Sequence, residues 1–207
     1  MRIVIATNNE HKADEISNMF SDMDIEFMTL AEAGIVSDPV EDADTFEGNA
    51  RIKAIATKSA LPQDGCGYAV LADDSGLEVD ALDGEPGVFS SRYAGEDGND
   101  EANNDLLLER LDGKPFEDRT ARFVCTMVLI GPDREETVSR GEVEGRIGFE
   151  RRGREGFGYD PLFYPEEYEW KKTFAEVPQS EKNVISHRSR ALHGLSEAMH
   201  ELASKDS

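Results

Sequence analysis

Apolar residues follow two rhythms along this chain. Short apolar runs occur at Ile3-Val4-Ile5-Ala6, at Tyr68 to Ala72 and, interrupted by Thr126, at Phe123 to Ile130, and runs of this length predict buried strands. The first predicts a strand over Arg2 to Thr7. After a polar turn, Thr7-Asn8-Asn9-Glu10-His11-Lys12, the residues Ala13, Ile16, Met19 and Phe20 recur at helical spacing, predicting a helix to about Phe20. Ile25 to Leu30 predicts a second strand, and 31–44 an acidic loop containing Pro39. Thr45 is expected to cap a helix from Phe46 to about Ser59, with Ala50, Ala54 and Thr57 on one face and Pro62 beyond its end. The run from Tyr68 is expected to stop at Asp73-Asp74. Residues 76–100 read as mostly loop, and Ala102 to Leu111 as a short helix. Arg122 to Gly131 and Glu136 to Ile147 predict long antiparallel strands joined at Pro132-Asp133. Gly148 to Pro161 is a glycine-rich loop, Leu162 to Tyr164 a short strand, and Ser186 to Ser204 a closing helix apolar at Leu192, Leu195, Met199 and Leu202. A parallel start followed by antiparallel strands predicts an α/β fold. Its elongated mixed sheet is flanked by helices, in one domain over residues 1–207.

Charge changes the picture. The 44 acidic residues outnumber the 22 basic ones, for a net charge of -22, and they are spread over the whole chain. Fourteen of the basic residues are Arg and eight are Lys. A uniformly acidic surface suits a cytoplasmic protein of a halophilic organism, where ions screen self-repulsion; an ordinary acidic, highly soluble protein is the alternative. Nucleic acid is excluded as a partner, because phosphate neutralisation needs a basic face. No apolar run approaches the ~20 residues of a membrane span, and the strand-like opening differs from a secretory signal. Cys66 and Cys125 are far apart with no CxxC spacing, as expected of buried thiols in a reducing compartment.

Candidate chemistry falls in four places. Ala72-Asp73-Asp74-Ser75-Gly76 would set two carboxylates at a strand end, where α/β proteins bind ligands and where oxygens suit Mg2+; the alternative is a loop with Gly76 at positive φ. Thr7 to Lys12 would offer a helix N-terminus and an ammonium to phosphate, or Asn8 or Asn9 simply caps the helix. The acidic run Glu41 to Glu47 precedes a helix bearing Lys53 and lacks EF-hand spacing. Each of its acids has the alternative of a solvated carboxylate. Gly156-Phe157-Gly158-Tyr159-Asp160 could stack a base on Phe157 and bond its edge, or fold Phe157 into the core. Lys172-Thr173, Lys182 and Ser186-His187-Arg188 gather cations before a helix. Half of the eight lysines, Lys12, Lys53, Lys172 and Lys182, lie in or beside these stretches.

Together, in order, these stretches resemble the noncanonical purine nucleoside triphosphate pyrophosphatases, the ITP/XTP/dITP diphosphatase family. The resemblance covers Thr7-x-Asn9-x-x-Lys12, Thr45-Phe46 with Asn49-Ala50 and Lys53, Ala72-Asp73-Asp74-Ser75-Gly76-Leu77, Pro86 to Gly95, Phe157 to Pro161, Lys172-Thr173 and Ser186-His187-Arg188. It implies hydrolysis of the α–β phosphate bond to monophosphate and pyrophosphate, dependence on Mg2+, a homodimer, and a site in a cleft between two lobes. It implies that Asp74 is catalytic and metal-associated, with Glu41 as the second metal ligand and Glu47 its alternative. Thr7, Asn8, Asn9, Lys12, Lys53 and Ser75 fall at triphosphate-binding positions. Phe157, Gly158, Tyr159, Asp160, Lys182, His187 and Arg188 fall at base- and substrate-binding positions. Arg188, which only donates, would then favour a base with a 6-carbonyl over adenine with its 6-amino group.

Overall fold

The chain's periodicities become six strands and six helices among the residues that the computed structural model describes, 1–19, 25–62 and 67–205. The strands are β1 (Arg2–Ile5), β2 (Glu26–Met28), β3 (Ala69–Val79), β4 (Thr120–Ile130), β5 (Glu136–Ile147) and β6 (Phe163–Pro165). The helices are α1 (Glu10–Met19), α2 (Phe46–Ala60), α3 (Asp100–Arg110), α4 (Gln179–Ile185), α5 (His187–Gly194) and α6 (Ser196–Lys205). Phe20 and Cys66, both given places in the sequence reading, lie outside the described residues.

One sheet runs in the order β2-β1-β3-β4-β5-β6. It is mixed as expected: β1 is parallel to β2 and to β3, and β5 is antiparallel to β6. Two compact units divide the chain. The first comprises Met1–Asp74, Cys125–Gly141 and Arg188–Ser207; the second comprises Ser75–Val124 and Glu142–His187.

Within the first unit, the two-residue period of β1 and β3 sorts side chains onto two faces. Ile3, Ile5, Ala69 and Leu71 pack with Ala13 and Ile16 of α1, Ala191 and Leu192 of α5, and Met199 of α6. Val4, Ala6, Val70 and Ala72 pack with Ala50 and Ala54 of α2. Thr45 caps α2 as predicted, its hydroxyl accepting from the Gly48 N–H at 3.1 Å. In the second unit, Leu77, Val79, Phe123, Val143, Phe163 and Phe174 form a separate core.

Three expectations are corrected. β3 does not stop at Asp73-Asp74: it runs on to Val79, because the inward alternation resumes at Leu77 and Val79. Gly76 therefore lies in a strand and is not among the positive-φ glycines. The segment 76–100 is less loop-like than predicted, with short 3-10 turns at Asp80–Leu82 and Gly87–Arg92. The closing helix is two pieces, α5 and α6, and a further helix, α4, precedes it. Ser186 is extended between α4 and α5, and a turn closed by the Leu195 N–H on the Leu192 carbonyl separates α5 from α6.

Candidate active site

Asp73 and Asp74 are consecutive in β3, so they point to opposite faces of the sheet. The expected joint cation site at a strand end is thereby corrected. β1 is the strand that ends there: the Ala6 N–H still bonds the Leu71 carbonyl at 2.8 Å, and the Thr7 turn follows. Both carboxylates thus lie just beyond the carboxyl end of a parallel neighbour, a position that α/β sheets use for ligands.

On one face, Lys12 of α1 reaches Asp73 at 3.0 Å. Arg188 of α5 holds the same Asp73 oxygen at 3.5 Å and also pairs with Glu15 of α1. Arg188 is 1% exposed and Asp73 also 1%. Burial resists ionisation of Asp73, but Lys12, Arg188 and Lys53 outweigh it and hold the carboxyl far below its ordinary value. Cys125 sits in this same environment, and burial pushes its thiol up to about 12, so it is inert at neutral pH.

On the other face, Lys53 of α2 stands between two carboxylates, 3.0 Å from Asp74 Oδ1 and 2.9 Å from Glu41 Oε2. Asn49, one turn earlier on α2, faces Asp74 Oδ2 at 3.4 Å. Here burial wins: it raises the Asp74 carboxyl above its ordinary value despite Lys53 and Lys12. Lys53 itself is desolvated, yet Asp74, Asp73 and Glu41 keep its ammonium charged. Glu47 turns away to Arg51, 2.8 Å off on an exposed part of α2, so Glu41 is the acid that joins Asp74.

At the turn before α1, the Asn9 side chain accepts from the Lys12 N–H at 3.2 Å and the Thr7 hydroxyl accepts from the Asn9 N–H at 3.1 Å. Asn9 is therefore a cap. Asn8 donates to the Ser37 carbonyl at 3.2 Å, tying the acidic loop to this turn. Ser75 follows Asp74 in β3 and is half-buried.

Phe157, in the second unit, is half-buried between Gly156 and Gly158, both at positive φ. Asp160 closes that turn by accepting from the Phe157 N–H at 3.0 Å and pairs with Lys182 at 2.5 Å; both side chains are 3% exposed. The Lys182 ammonium lies 4.8 Å from the Phe157 ring centre. Tyr159 is buried, its hydroxyl donating to the Ser90 carbonyl at 2.8 Å. Gly158 gives its N–H to Asp100 at 2.7 Å. His187 is buried and stacks on Phe123, ring centres 5.0 Å apart. Of the residues expected to touch a base, Phe157 alone offers a partly open ring. Tyr159, Asp160, Lys182 and Arg188 are occupied inside the protein. Both terminal nitrogens of Arg188 already serve carboxylates, so the structure does not present it openly for the expected direct reading of a 6-carbonyl.

The sequence pattern of the Ham1 family matches residues 3–198. The chain belongs to the Ham1 family. Among its relatives is a dITP/XTP pyrophosphatase of Clostridium perfringens, 47% identical over 195 residues that cover 94% of this chain and 95% of the relative. Another, from Exiguobacterium sibiricum, carries the same name and is 46% identical over 96% of this chain and 97% of its own length. The Ham1 protein of Staphylococcus aureus superposes with a TM-score of 0.84 at 41% identity, covering 97% of this chain and 99% of that one. Membership of the Ham1 family was thus legible from motif order. Two members of the charge network, Glu15 and Asn49, received no role. Their signal was helical spacing: Glu15 lies three residues after Lys12, and Asn49 four before Lys53, so each shares a face with a site lysine.

Proposed function

We propose that this chain hydrolyses dITP, ITP and XTP at the α–β phosphate bond, releasing the monophosphate and pyrophosphate. One observation carries the reading: Lys53 bridges Asp74 and Glu41 at the carboxyl end of β1, on a carboxyl that burial keeps unusually basic. The names of the relatives support the substrate class.

Asp74 and Glu41 would hold Mg2+, for their donor set is all oxygen and already gathers around a cation. Bound there, Mg2+ would neutralise charge on phosphate oxygens as a Lewis acid. Asp74, with its raised basicity, accepts the proton of the attacking water. Lys53 and Lys12 turn from their carboxylates toward phosphate and stabilise the pyrophosphate as it leaves. Phe157 supplies a ring for the purine to stack on. Thr7, Asn8, Asn9 and Ser75 add polar contacts to the triphosphate. We further assign the enzyme to the cytoplasm as a homodimer. The described residues contain no helix long and apolar enough to cross a membrane.

Pyrophosphate release from ITP, dITP, XTP, ATP and GTP, with Mg2+ and with a chelator, tests the reading. Fast Mg2+-dependent release from the first three is expected. Tight nucleotide binding without release would make the chain a silent nucleotide-binding protein instead.

A further inference from the structure

Asparagine is a poor interior helix residue, because its side chain competes for backbone hydrogen bonds. Asn49 nevertheless sits in the first turns of α2 and is 1% exposed. Its Oδ1 accepts from the Ala43 N–H at 3.0 Å. An N–H can only donate, so the amide cannot be flipped, and Nδ2 is left to face Asp74 Oδ2 at 3.4 Å. Ala43 is two residues beyond Glu41, whose carboxylate meets Lys53, and Lys53 meets the other Asp74 oxygen. The contacts therefore close a ring: Glu41, Lys53, Asp74, Asn49, Ala43 and back along the chain to Glu41. Gly48 makes the ring possible, since a Cβ there would lie 2.5 Å from the Ala43 Cβ.

We infer that Asn49 is a positioning residue whose single amide, locked in one polarity, ties the loop bearing Glu41 to Asp74 and sets the orientation of the Asp74 carboxylate. This rests on the proposed roles of Glu41 and Asp74. Two substitutions separate the two ends of the tie. Asn49→Asp keeps an acceptor for the Ala43 N–H but presents Asp74 with a like charge. Asn49→Ala removes both ends.

The test combines amide hydrogen exchange at Ala43, measured by NMR on nucleotide-free and metal-free protein, with steady-state dITP kinetics. In Asn49→Ala, Ala43 exchange should accelerate at least ~10-fold, because one hydrogen bond worth about 1.4 kcal/mol is a factor of ten. Asn49→Asp should keep Ala43 protected. Both variants should lose ~10–100-fold in kcat, the usual cost of removing a group that orients a metal-binding or catalytic side chain. KM should stay within about threefold, since Asn49 is buried beneath Asp74. Wild-type kcat in Asn49→Asp, with the protein folded, would overturn the orienting role. Unchanged Ala43 exchange in Asn49→Ala would overturn the tie to the loop. If wild-type protein released no pyrophosphate, the proposed function would fall, and the exchange comparison would still decide the tie.

Discussion

At the scale of the residue, two neighbouring aspartates have opposite energetics. Asp73 ionises readily, held between Lys12 and Arg188, whereas Asp74 ionises reluctantly because it is buried among acids with Lys53 as its main partner. Asp74→Asn should abolish turnover, with a loss of at least ~100-fold, because it removes the proposed base and metal-binding charge. The same change should leave the melting temperature at pH 7 equal to wild type or higher. The folded Asp74 carboxyl lies above its ordinary value, so its charged form weighs against folding, and any gain should shrink as pH falls through that raised value. A sharply lower melting temperature would contradict the assigned direction. Asp73→Asn should do the reverse, costing ~3–5 kcal/mol by removing the buried carboxylate that Lys12 and Arg188 share. Asp73 lies below its ordinary value of 3.8, so its contribution is complete above about pH 4 and lost on further acidification. Denaturant melts from pH 7 to pH 3 should show the wild type weakening at the acid end and the variant changing less. Arg188→Ala should likewise destabilise by ~3–5 kcal/mol, because it takes a buried cation away from Asp73 and Glu15. It should lower kcat/KM for ITP and ATP in parallel. A selective loss on ITP in a stable variant would restore Arg188 as a reader of the base.

At the scale of the element, α2 is the device that joins cap, loop and site. Replacing an interior helical glycine by alanine ordinarily stabilises by about 1 kcal/mol. At Gly48 the added methyl would lie 2.5 Å from the Ala43 Cβ and 3.1 Å from the Thr45 hydroxyl. Neither neighbour is the far end of a flexible side chain, and overpacking of this kind costs ~1–3 kcal/mol. The clash wins, so Gly48→Ala should lower the melting temperature and, by pushing Ala43 away, reduce turnover. A variant more stable than wild type would show that the loop yields freely. β3 teaches a related lesson. Asp-Asp-Ser-Gly interrupts its apolar run, yet the strand continues because each carboxylate finds an ammonium on its own face of the sheet.

At the scale of the whole molecule, the net charge of -22 dominates. Exposed pairs such as Arg2 with Glu26 and the Arg122 cluster with Asp80 and Glu144 contribute little to stability, because water and salt screen them. Screening weakens them, but it also quenches repulsion among the many carboxylates left in excess. At ~1 M salt the Debye length is about 3 Å, so repulsion between surface acids is removed while buried pairs such as Lys12–Asp73 persist. The melting temperature should therefore rise along a KCl series from low to molar salt. A flat series would argue for an ordinary acidic protein and against a halophilic origin.

The sequence alone determined what depends on near neighbours: the periodicity of α2 and its Thr45 cap, the buried strands, the mixed order of elements, and the motif series that marks the family. Tertiary structure decided what depends on distant partners. Arg188 and Asp73 lie 115 residues apart in the chain, and Asn49 and Asp74 lie 25 apart. Only packing of α1 and α5 on one face and α2 on the other gives Asp73 and Asp74 different partners, turns Arg188 inward and brings Glu41 rather than Glu47 to the Lys53 that meets Asp74. Local pattern records which side chains share a face, but the charge that each one meets is set by what the fold lays against that face.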